Sequence, residues 1–254
     1  QGEFISIESI GKITKPVVWT LHDTWAFSGS EHYPIDINDK RYKEVYSSSN
    51  RPKNHKALDI DKWCWNRKLK SWKNNFHIVT PSKWLGDMAK DSYLLRNFSI
   101  HNIPNAIDTD VFKPVDRYLA RSLFNLPKSK NLILFGAFSS LNDHRKGLDL
   151  LLKALVNLES KSNDMEVVIL GGSKIIQDLK LKFKFHFIPK LTDDFSLSLC
   201  YSSVDLVVLP SRMENLPNMA TEAQSCGTPV VAFNVTGMSE CVSHKKTGYL
   251  AKPY

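Results

Sequence analysis

The stretch 210–233 constrains the fold more than any other part of the chain, because it is typical of a loop, a helix and a strand in succession. The apolar run 206–209 leads into it as a strand, and a second apolar run, 230–233, ends it. Glu214 and Glu222 stand eight residues apart around the predicted start of the helix. Ligands of parallel α/β sheets bind at the carboxyl ends of the strands, where a helix start suits a phosphate. A carboxylate in the first turns of that helix suits a sugar or ribose hydroxyl.

Strands and helices alternate along the rest of the chain, which indicates doubly wound parallel sheets. A segment rich in proline and turn-forming residues, 104–114, interrupts the alternation. We therefore predict two domains, residues 1–108 and 115–254, joined by a linker at 109–114. The predicted strands outside the opening stretch are 16–21, 77–80, 100–104, 132–135, 166–170 and 185–188. The predicted helices include one capped by Asp59 or Asp61, one beginning after Ser82, and one over 148–158.

The composition is that of a globular chain without a membrane span. Hydrophobic residues make up 42% of the 254 residues, and no apolar stretch approaches the ~20 residues that a spanning helix needs. The four cysteines form no CxxC pair, so neither zinc nor dithiol chemistry is predicted, and a reducing cytoplasm is the expected compartment. The first residues lack the features of a secretory signal. Because the chain begins at Gln1, we expect it to be a segment of a longer protein.

The net charge of +8 is concentrated between Arg41 and Lys73, where ten Lys and Arg residues face three acidic ones. Two interpretations remain open for this basic region. It is either a solvated helix face or a peripheral contact with an anionic membrane surface, where each basic residue contributes about 1 kcal/mol. Specific nucleic-acid binding is not predicted, because no base-reading motif accompanies the charge.

The ordered motifs of the chain resemble those of the family 4 retaining glycosyltransferases, most closely the bacterial enzymes that build surface polysaccharides such as O-antigen. Glu214 and Glu222 match the E-x7-E pattern of that family. The other matches run nearly from end to end and in order. They are 18–23 with 25–27 and 32–33, 79–85, 103–108 with 112–114, 135–137 with 145–147, 201–205, 210–233 and 247–251.

The resemblance implies the GT-B fold, in which two Rossmann-like domains face a cleft. It implies transfer of a sugar from a nucleotide-diphosphate donor to a hydroxyl, here expected on a lipid-linked glycan at the inner face of the plasma membrane. Members of the family are longer, so we expect an incomplete N-terminal, acceptor-side domain. The donor domain is expected to lack its C-terminal helices.

The resemblance also assigns roles to particular residues. His22 and Glu214 are the expected catalytic residues, and Glu222 is the expected ribose ligand. No DxD motif is present, so no metal and no other cofactor is expected. His32 is a less certain candidate, either on the acceptor side or structural, and Asp23 is assigned no nucleophilic role. The remaining donor-binding residues are Gly136, Arg145, Lys146, Asn215, Leu216, Pro217 and Asn218.

Some residues depart from the family pattern. Ala137 stands where members usually carry Arg, and the segment 28–31 lacks the cysteine that relatives often have. Two other functions remain open at this point. A truncated remnant would bind nucleotide without transferring sugar. A sugar-nucleotide epimerase of similar fold would need catalytic carboxylates that the first domain does not display.

Overall fold

The computed structural model describes residues 5–34, 38–52, 57–74, 76–136, 143–161, 163–171 and 181–253. The chain divides into two compact units, Gln1–Asn105 and Ala106–Tyr254. Each unit has its own hydrophobic core and its own parallel sheet. The α/β class with two parallel sheets is therefore as predicted.

In the described part of the first unit, three strands pair in parallel in the order β1-β2-β3. The strands are β1 (Val18–Thr20), β2 (His77–Thr80) and β3 (Ser99–Asn102), and the helices are α1 (Ile7–Gly11), α2 (Ile60–Ser71) and α3 (Lys83–Asp91). Asp59 caps α2 by accepting a hydrogen bond from the Lys62 amide, and Ser82 caps α3 through the Leu85 amide. Both caps lie at predicted positions.

Among the described residues of the second unit, six strands pair in parallel in the order β6-β5-β4-β7-β8-β9. The strands are β4 (Asn131–Gly136), β5 (Met165–Leu170), β6 (Phe185–Ile188), β7 (Leu206–Leu209), β8 (Val230–Phe233) and β9 (Gly248–Ala251). The helices are α4 (Arg117–Leu123), α5 (Leu148–Leu158), α6 (Asp194–Ser202), α7 (Asn218–Ser225) and α8 (Met238–Cys241). This strand order is that of a doubly wound nucleotide-binding fold, and its direction reverses between β4 and β7.

Both faces of the six-stranded sheet are buried, which explains why its strands are continuous apolar runs. Val168 and Leu170 of β5 pack into one core cluster, and Val167 and Ile169 pack into another. Such runs are easy to locate, and the predicted bounds of β6, β7, β8 and α5 agree with the structure.

The segment predicted as a linker, 109–114, lies within the second unit. Phe112 is only 5% exposed in the core of that unit, with its ring 6.5 Å from the ring of Tyr201. Ser225 donates a hydrogen bond to the Phe112 carbonyl oxygen. The prolines of this segment therefore belong to the turn-rich start of the second unit. The Phe112 side chain packs in the core of that unit. The domain limits given above remain predictions.

The basic region is less exposed than its composition indicates. Arg41 is 5% exposed and pairs with Asp59 at 2.9 Å, and Lys68 is fully buried. These two cations belong to the interior of the first unit, so they take no part in a solvated or membrane-facing surface. Lys53 and Lys56 lie outside the described residues.

Candidate functional site

A cavity of about 360 Å³ opens in the second unit where the strand order reverses. It lies at the carboxyl ends of β4 and β7, the position at which doubly wound sheets bind ligands. The predicted residues that line it are Gly136, Lys146, Glu214, Pro217, Asn218 and Glu222. The structure thus brings together six residues that are spread over 87 positions of the sequence.

Glu214 makes three polar contacts at this cavity. Its Oε1 lies 2.5 Å from Lys146 Nζ and 3.0 Å from Arg145 Nη1. Ser211 Oγ donates a further hydrogen bond of 3.3 Å to the same oxygen. All three contacts converge on Oε1, so Oε2 has no partner among the residues that the structure describes. A carboxylate with one anchored oxygen and one accepting oxygen is suited to hold a hydroxyl group.

The backbone conformation of residues 143–147 positions Lys146 at the cavity. A single 3₁₀ turn, His144–Lys146, begins at Asp143, whose carboxylate accepts from the Arg145 amide, and ends at Gly147 with φ of 69°. A Cβ at Gly147 would stand 1.9 Å from the Pro210 carbonyl oxygen. Only glycine meets both conditions, because it tolerates positive φ and leaves room for the neighbouring backbone.

The residues 210–217, which follow β7 and are called the β7 loop below, are fastened to this turn. The Arg212 amide donates to the Arg145 carbonyl oxygen at 2.7 Å. The Arg212 guanidinium binds both carboxylate oxygens of Asp149 at 2.7 Å, and this lowers the pKa of Asp149 to about 2. Two segments distant in sequence therefore hold the cations and Glu214 in one arrangement.

Glu222 lies on α7 and receives a hydrogen bond of 2.7 Å from the Tyr201 hydroxyl. Burial raises the pKa of Glu222 above its usual range, and the Tyr201 hydrogen bond opposes this rise. Burial beside Glu222 raises the pKa of Tyr201 as well, so the phenol remains a donor. A half-buried carboxylate of this kind favours a ligand that donates hydrogen bonds to it.

The start of α7 lines the same cavity. Pro217, which has no side-chain acceptor, stands at the N-cap position, and Asn218 and Met219 follow at the cavity wall. Gly136 makes room for them, because a Cβ there would lie 2.2 Å from the methyl carbon of Met219. The positive end of the helix dipole is therefore accessible at the cavity, which suits an anion.

Other predicted residues lie outside the cavity wall. Arg145 acts through Glu214 and the Met213 carbonyl oxygen, to which it donates at 2.9 Å. Asn215 is buried in the β7 loop and Leu216 is half-buried there, so neither side chain lines the cavity. Ala137 lies outside the described residues.

His22 belongs to the first unit and stands two residues after the end of β1. Its side chain is exposed, and its carbonyl oxygen accepts a hydrogen bond of 3.4 Å from the Tyr33 hydroxyl. It begins a polar loop, residues 22–33, called the β1 loop below. Asp23 and His32 of this loop form a contact of 2.7 Å.

Sequence reasoning missed several residues of the two units. Tyr201 lies inside a quoted motif, yet no role was assigned to it, and Lys190 was not considered although it lines the cavity. Lys68 was counted as part of the basic region, but it donates to the carbonyl oxygens of Trp25, Ser28 and Gly29. The available signal for Lys68 was its position on the aromatic helix face three residues after Trp65.

Two negative findings concern only the described part of the chain. There, no group of three or more His, Cys, Asp or Glu side chains is placed to hold a metal ion. In the same residues, no helix is long and apolar enough to cross a membrane.

Comparison with known proteins agrees with this geometry. A D-inositol 3-phosphate glycosyltransferase of Mycobacteroides abscessus is 33% identical over 173 residues, which cover 60% of this chain and 37% of that protein. A sucrose-phosphate synthase of Thermosynechococcus elongatus shares the fold with a TM-score of 0.68 at 21% identity, over 95% of this chain and 56% of that one. The Anabaena protein HepE, solved in complex with UDP-glucose, superposes with a TM-score of 0.62 at 19% identity. The match covers 94% of this chain and 59% of HepE.

These structures are GT-B glycosyltransferases, so the predicted fold class is confirmed. The chain spans a little over a third of the length of the curated relatives that it matches. Residues 121–254 match the family described as glycosyl transferases group 1. This chain belongs to the group 1 glycosyl transferases.

Proposed function

We propose that the second unit binds a nucleoside-diphosphate sugar and that the protein transfers this sugar to a hydroxyl of a glycan acceptor. The observation that carries the proposal is the cavity between β4 and β7, where Lys146, Glu214 and Glu222 converge at the start of α7. A nucleoside-diphosphate sugar offers an anion between two sets of hydroxyls. The cavity offers a cation and a helix start between two carboxylates.

The diphosphate is the leaving group, so its negative charge grows as the bond to the sugar breaks. Cations and amide donors placed in advance stabilise such charge, and each strong donor typically contributes a few kcal/mol to the transition state. Lys146 and Arg145 now share Glu214 Oε1 as a partner. We expect Lys146 to turn from Glu214 to the diphosphate when the donor binds, with the start of α7 and residues 215–218 supplying amide groups.

The two carboxylates are expected to bind the hydroxyls on either side of the diphosphate. Glu222, held by Tyr201, is the proposed ribose ligand, since its half-buried carboxylate favours hydrogen-bond donors. Glu214 is the proposed ligand of the donor sugar, through the oxygen that the cations do not use. His22 is the proposed catalytic histidine of the first unit. No metal is required in this scheme, because the protein's own cations neutralise the leaving group.

The acceptor is the less constrained part of the proposal. The family match lies at 121–254, whereas the β1 loop belongs to the first unit. The motifs of that unit resemble family 4 enzymes of surface polysaccharide synthesis, so a lipid-linked glycan at the inner face of the plasma membrane is the proposed acceptor. The curated relatives are named for D-inositol 3-phosphate, which is therefore the competing acceptor to test. The inactive remnant is not favoured, because those relatives are named as transferases.

Titration calorimetry of the full chain against UDP, GDP, ADP and their common sugar conjugates tests the donor site. We expect one nucleotide to bind, and we expect Glu222→Gln to weaken it roughly 10- to 100-fold, as loss of a hydrogen bond to a charged group predicts. Glu159→Gln, a change of the same kind at a partly exposed residue of the second unit outside the cavity, is the control. Absence of binding by the folded chain to every nucleotide would contradict the proposal.

Transfer is then measured with the donor that binds. Product formation on a lipid-linked glycan, and none on D-inositol 3-phosphate, is the expected result. Nucleotide binding with no transfer to either acceptor would favour the truncated remnant instead. Release of an altered sugar nucleotide from donor alone would indicate the epimerase.

A further inference from the structure

A second cavity, of about 600 Å³, lies in the second unit where β4, β7 and β8 begin, and it is called the amino-end cavity below. The proposed donor cavity lies at the other end of the same strands. Ligands of doubly wound sheets normally bind at the carboxyl ends of the strands. The fold and the family match therefore give the amino-end cavity no role, and its ligand must be recognised by the side chains of its own wall.

The wall of the amino-end cavity carries more positive than negative charge. Among the described residues, its charged side chains are the carboxylate of Asp205 and the cations of Arg117, Arg121, Lys128 and Lys130. Two further carboxylates lie beyond the wall. They are Asp164, which pairs with Lys130 at 3.0 Å, and Asp116, which caps α4. Cations remain in excess even when these two are counted, and a concave surface with an excess of one charge concentrates ions of the opposite sign.

Arg121 of α4 has a structural role in this wall. Its side chain is 4% exposed, and it donates from Nε to the Ser203 carbonyl oxygen at 2.8 Å and from Nη2 to Asp205 at 2.7 Å. Its Nη1 donates at 3.3, 2.8 and 3.1 Å to the carbonyl oxygens of Pro127, Lys128 and Lys130. One buried guanidinium thus fixes the backbone of residues 127–130, as a loop that carries binding groups requires.

Three other side chains of the wall keep hydrogen-bond donors that no described residue uses. Arg117 is 47% exposed and donates from Nη1 to Asp205 Oδ1 at 2.7 Å, so its Nε and Nη2 stay available. The Lys128 ammonium and the Ser129 hydroxyl have no hydrogen-bond or ion-pair partner within the described ranges. Both oxygens of Asp205 are already in use, because Oδ2 accepts from the Leu132 amide at 2.7 Å. The ligand that fits is therefore an anion that accepts several hydrogen bonds.

We propose that the amino-end cavity binds a phosphate group, which Arg117, Lys128 and Ser129 hold. A phosphate ester near pH 7 carries about two negative charges and three strong acceptor oxygens. The free edge of the Arg117 guanidinium presents two parallel N–H groups to such a group, and Lys128 adds a compact charge on a flexible stem. The phosphate belongs either to a soluble metabolite or to a lipid headgroup. This site does not depend on the proposed function, because it shares no wall residue with the donor cavity.

The test is titration calorimetry of the full chain with inorganic pyrophosphate at a fixed ionic strength of about 0.1 M. Lys146→Gln removes a cation of the donor cavity, so it separates binding there from binding at the amino-end cavity. We expect binding to survive Lys146→Gln and to weaken roughly 10- to 100-fold in Arg117→Gln/Lys128→Gln, as loss of charged hydrogen bonds predicts. Absence of binding by the wild type, or its complete loss in Lys146→Gln, overturns the proposal.

Matched variants separate binding at this site from a general effect of charge or folding. Lys153→Gln/Lys184→Gln removes two exposed cations of the second unit outside both cavities, and it should bind pyrophosphate as the wild type does. Lys128→Gln alone removes no contact of the described chain, so its expected loss of roughly 3- to 10-fold cannot come from a folding defect. If Lys128→Gln and the double glutamine variant of Arg117 and Lys128 bind as this control does, the proposal is wrong.

Vesicles of phosphatidylcholine with phosphatidic acid, whose headgroup is a phosphate monoester, identify the source of the phosphate. Vesicle binding that pyrophosphate displaces and that Arg117→Gln/Lys128→Gln abolishes would support the site and assign it to a lipid. Binding of pyrophosphate without binding of vesicles would support the site and assign it to a soluble metabolite. Vesicle binding that the double variant retains, with no pyrophosphate bound at the amino-end cavity, would refute the site.

Discussion

The β1 loop and the β7 loop are both organised by cations, but the partners of those cations differ. In the first unit, the fully buried Lys68 is held by three backbone carbonyl groups and stands 3.9 Å from the Trp25 ring centre. In the second unit, Arg145 and Lys146, which are 24% and 32% exposed, share one oxygen of Glu214. Carbonyl groups of a packed loop cannot leave, whereas a half-exposed cation can exchange a carboxylate for a phosphate.

The difference indicates a division of labour between scaffold and ligand binding. Burial lowers the pKa of Lys68 to about 7, because the charged ammonium is unfavourable in the interior of the first unit. Such a charge is retained when it satisfies groups that would otherwise be buried without partners. The cations of the β7 loop remain close to water and to the cavity, as a site that must bind and release a charged ligand requires.

The largest effect is expected from removal of the Lys68 ammonium. Lys68→Met leaves the carbonyl groups of Trp25, Ser28 and Gly29 without their donor, and this outweighs the relief of burying a charge. We expect the free energy of unfolding of the first unit to fall by about 3 kcal/mol. All six tryptophans lie between residues 19 and 84, so urea denaturation followed by tryptophan fluorescence reports this unit.

Lys70→Met on the exposed side of the same helix is the control for Lys68→Met and should stay within about 0.5 kcal/mol of the wild type. Nucleotide binding by the second unit should be the same in both variants. An unchanged or raised stability of Lys68→Met would show that the ammonium does not brace the β1 loop, and the comparison with the β7 loop would fail.

A smaller but more local effect is expected at Gly147. Gly147→Ala adds the cost of a positive φ, about 1–2 kcal/mol, to a collision with the Pro210 carbonyl oxygen. Because the β7 loop must then shift away from Lys146, nucleotide affinity should fall at least about tenfold, measured by calorimetry. Tryptophan fluorescence should show the first unit unchanged.

Gly227→Ala isolates the collision from the backbone cost. Gly227 has φ of 78°, but a Cβ there would meet Pro114 only at 3.4 Å. This variant should lose about 1 kcal/mol of stability and keep its affinity for nucleotide. Equal loss of affinity in both variants would mean that the contact between Gly147 and Pro210 does not position the cations.

The sequence predicts the buried strands better than the exposed and edge elements, for physical reasons. Buried parallel strands are continuous apolar runs, so β6, β7 and β8 are visible without any tertiary information. Helix α4 was missed because Tyr118, Leu119 and Leu123 leave more than half of their surfaces exposed and give it no amphipathic pattern. Short edge strands such as β9 carry a weak signal for similar reasons.

The functional and buried polar residues also differ in how well the sequence predicts them. Lys146, Glu214 and Glu222 stand in linear motifs, so a sequence pattern is enough to select them. Lys68 acquires its environment from carbonyl groups 39 to 43 residues away, and a lysine in a basic stretch is normally a surface residue. Contacts of this range depend on the folded backbone and leave no local pattern.

The last expected effect is spread over more than two pH units and separates the stability of the two units by its pH dependence. Burial raises the pKa of Glu31 to about 7, against the hydrogen bond that Tyr46 donates to it. The folded first unit thus binds more protons than the unfolded chain between about pH 4.5 and 7. The contribution of Glu31 to the free energy of unfolding should be greatest below pH 4.5. It should fall by up to about 3 kcal/mol as the pH rises to 7.

Glu31→Gln removes that titration, so the difference in unfolding free energy between wild type and variant should change over this window and level off above it. Lys68 contributes the opposite slope at higher pH, because its lowered pKa makes the unfolded chain the stronger proton binder between about 7 and 10.5. In the second unit, the pKa of Asp149 is lowered to about 2. The stability that the ionised Asp149 contributes is therefore lost only in strongly acidic solution. A wild-type slope between pH 5 and 7 that persists in Glu31→Gln would show that Glu31 is already ionised in the folded unit. The β1 loop would then contain an ionised carboxylate, as the β7 loop does. The two loops would differ only in how deeply their charged groups are buried.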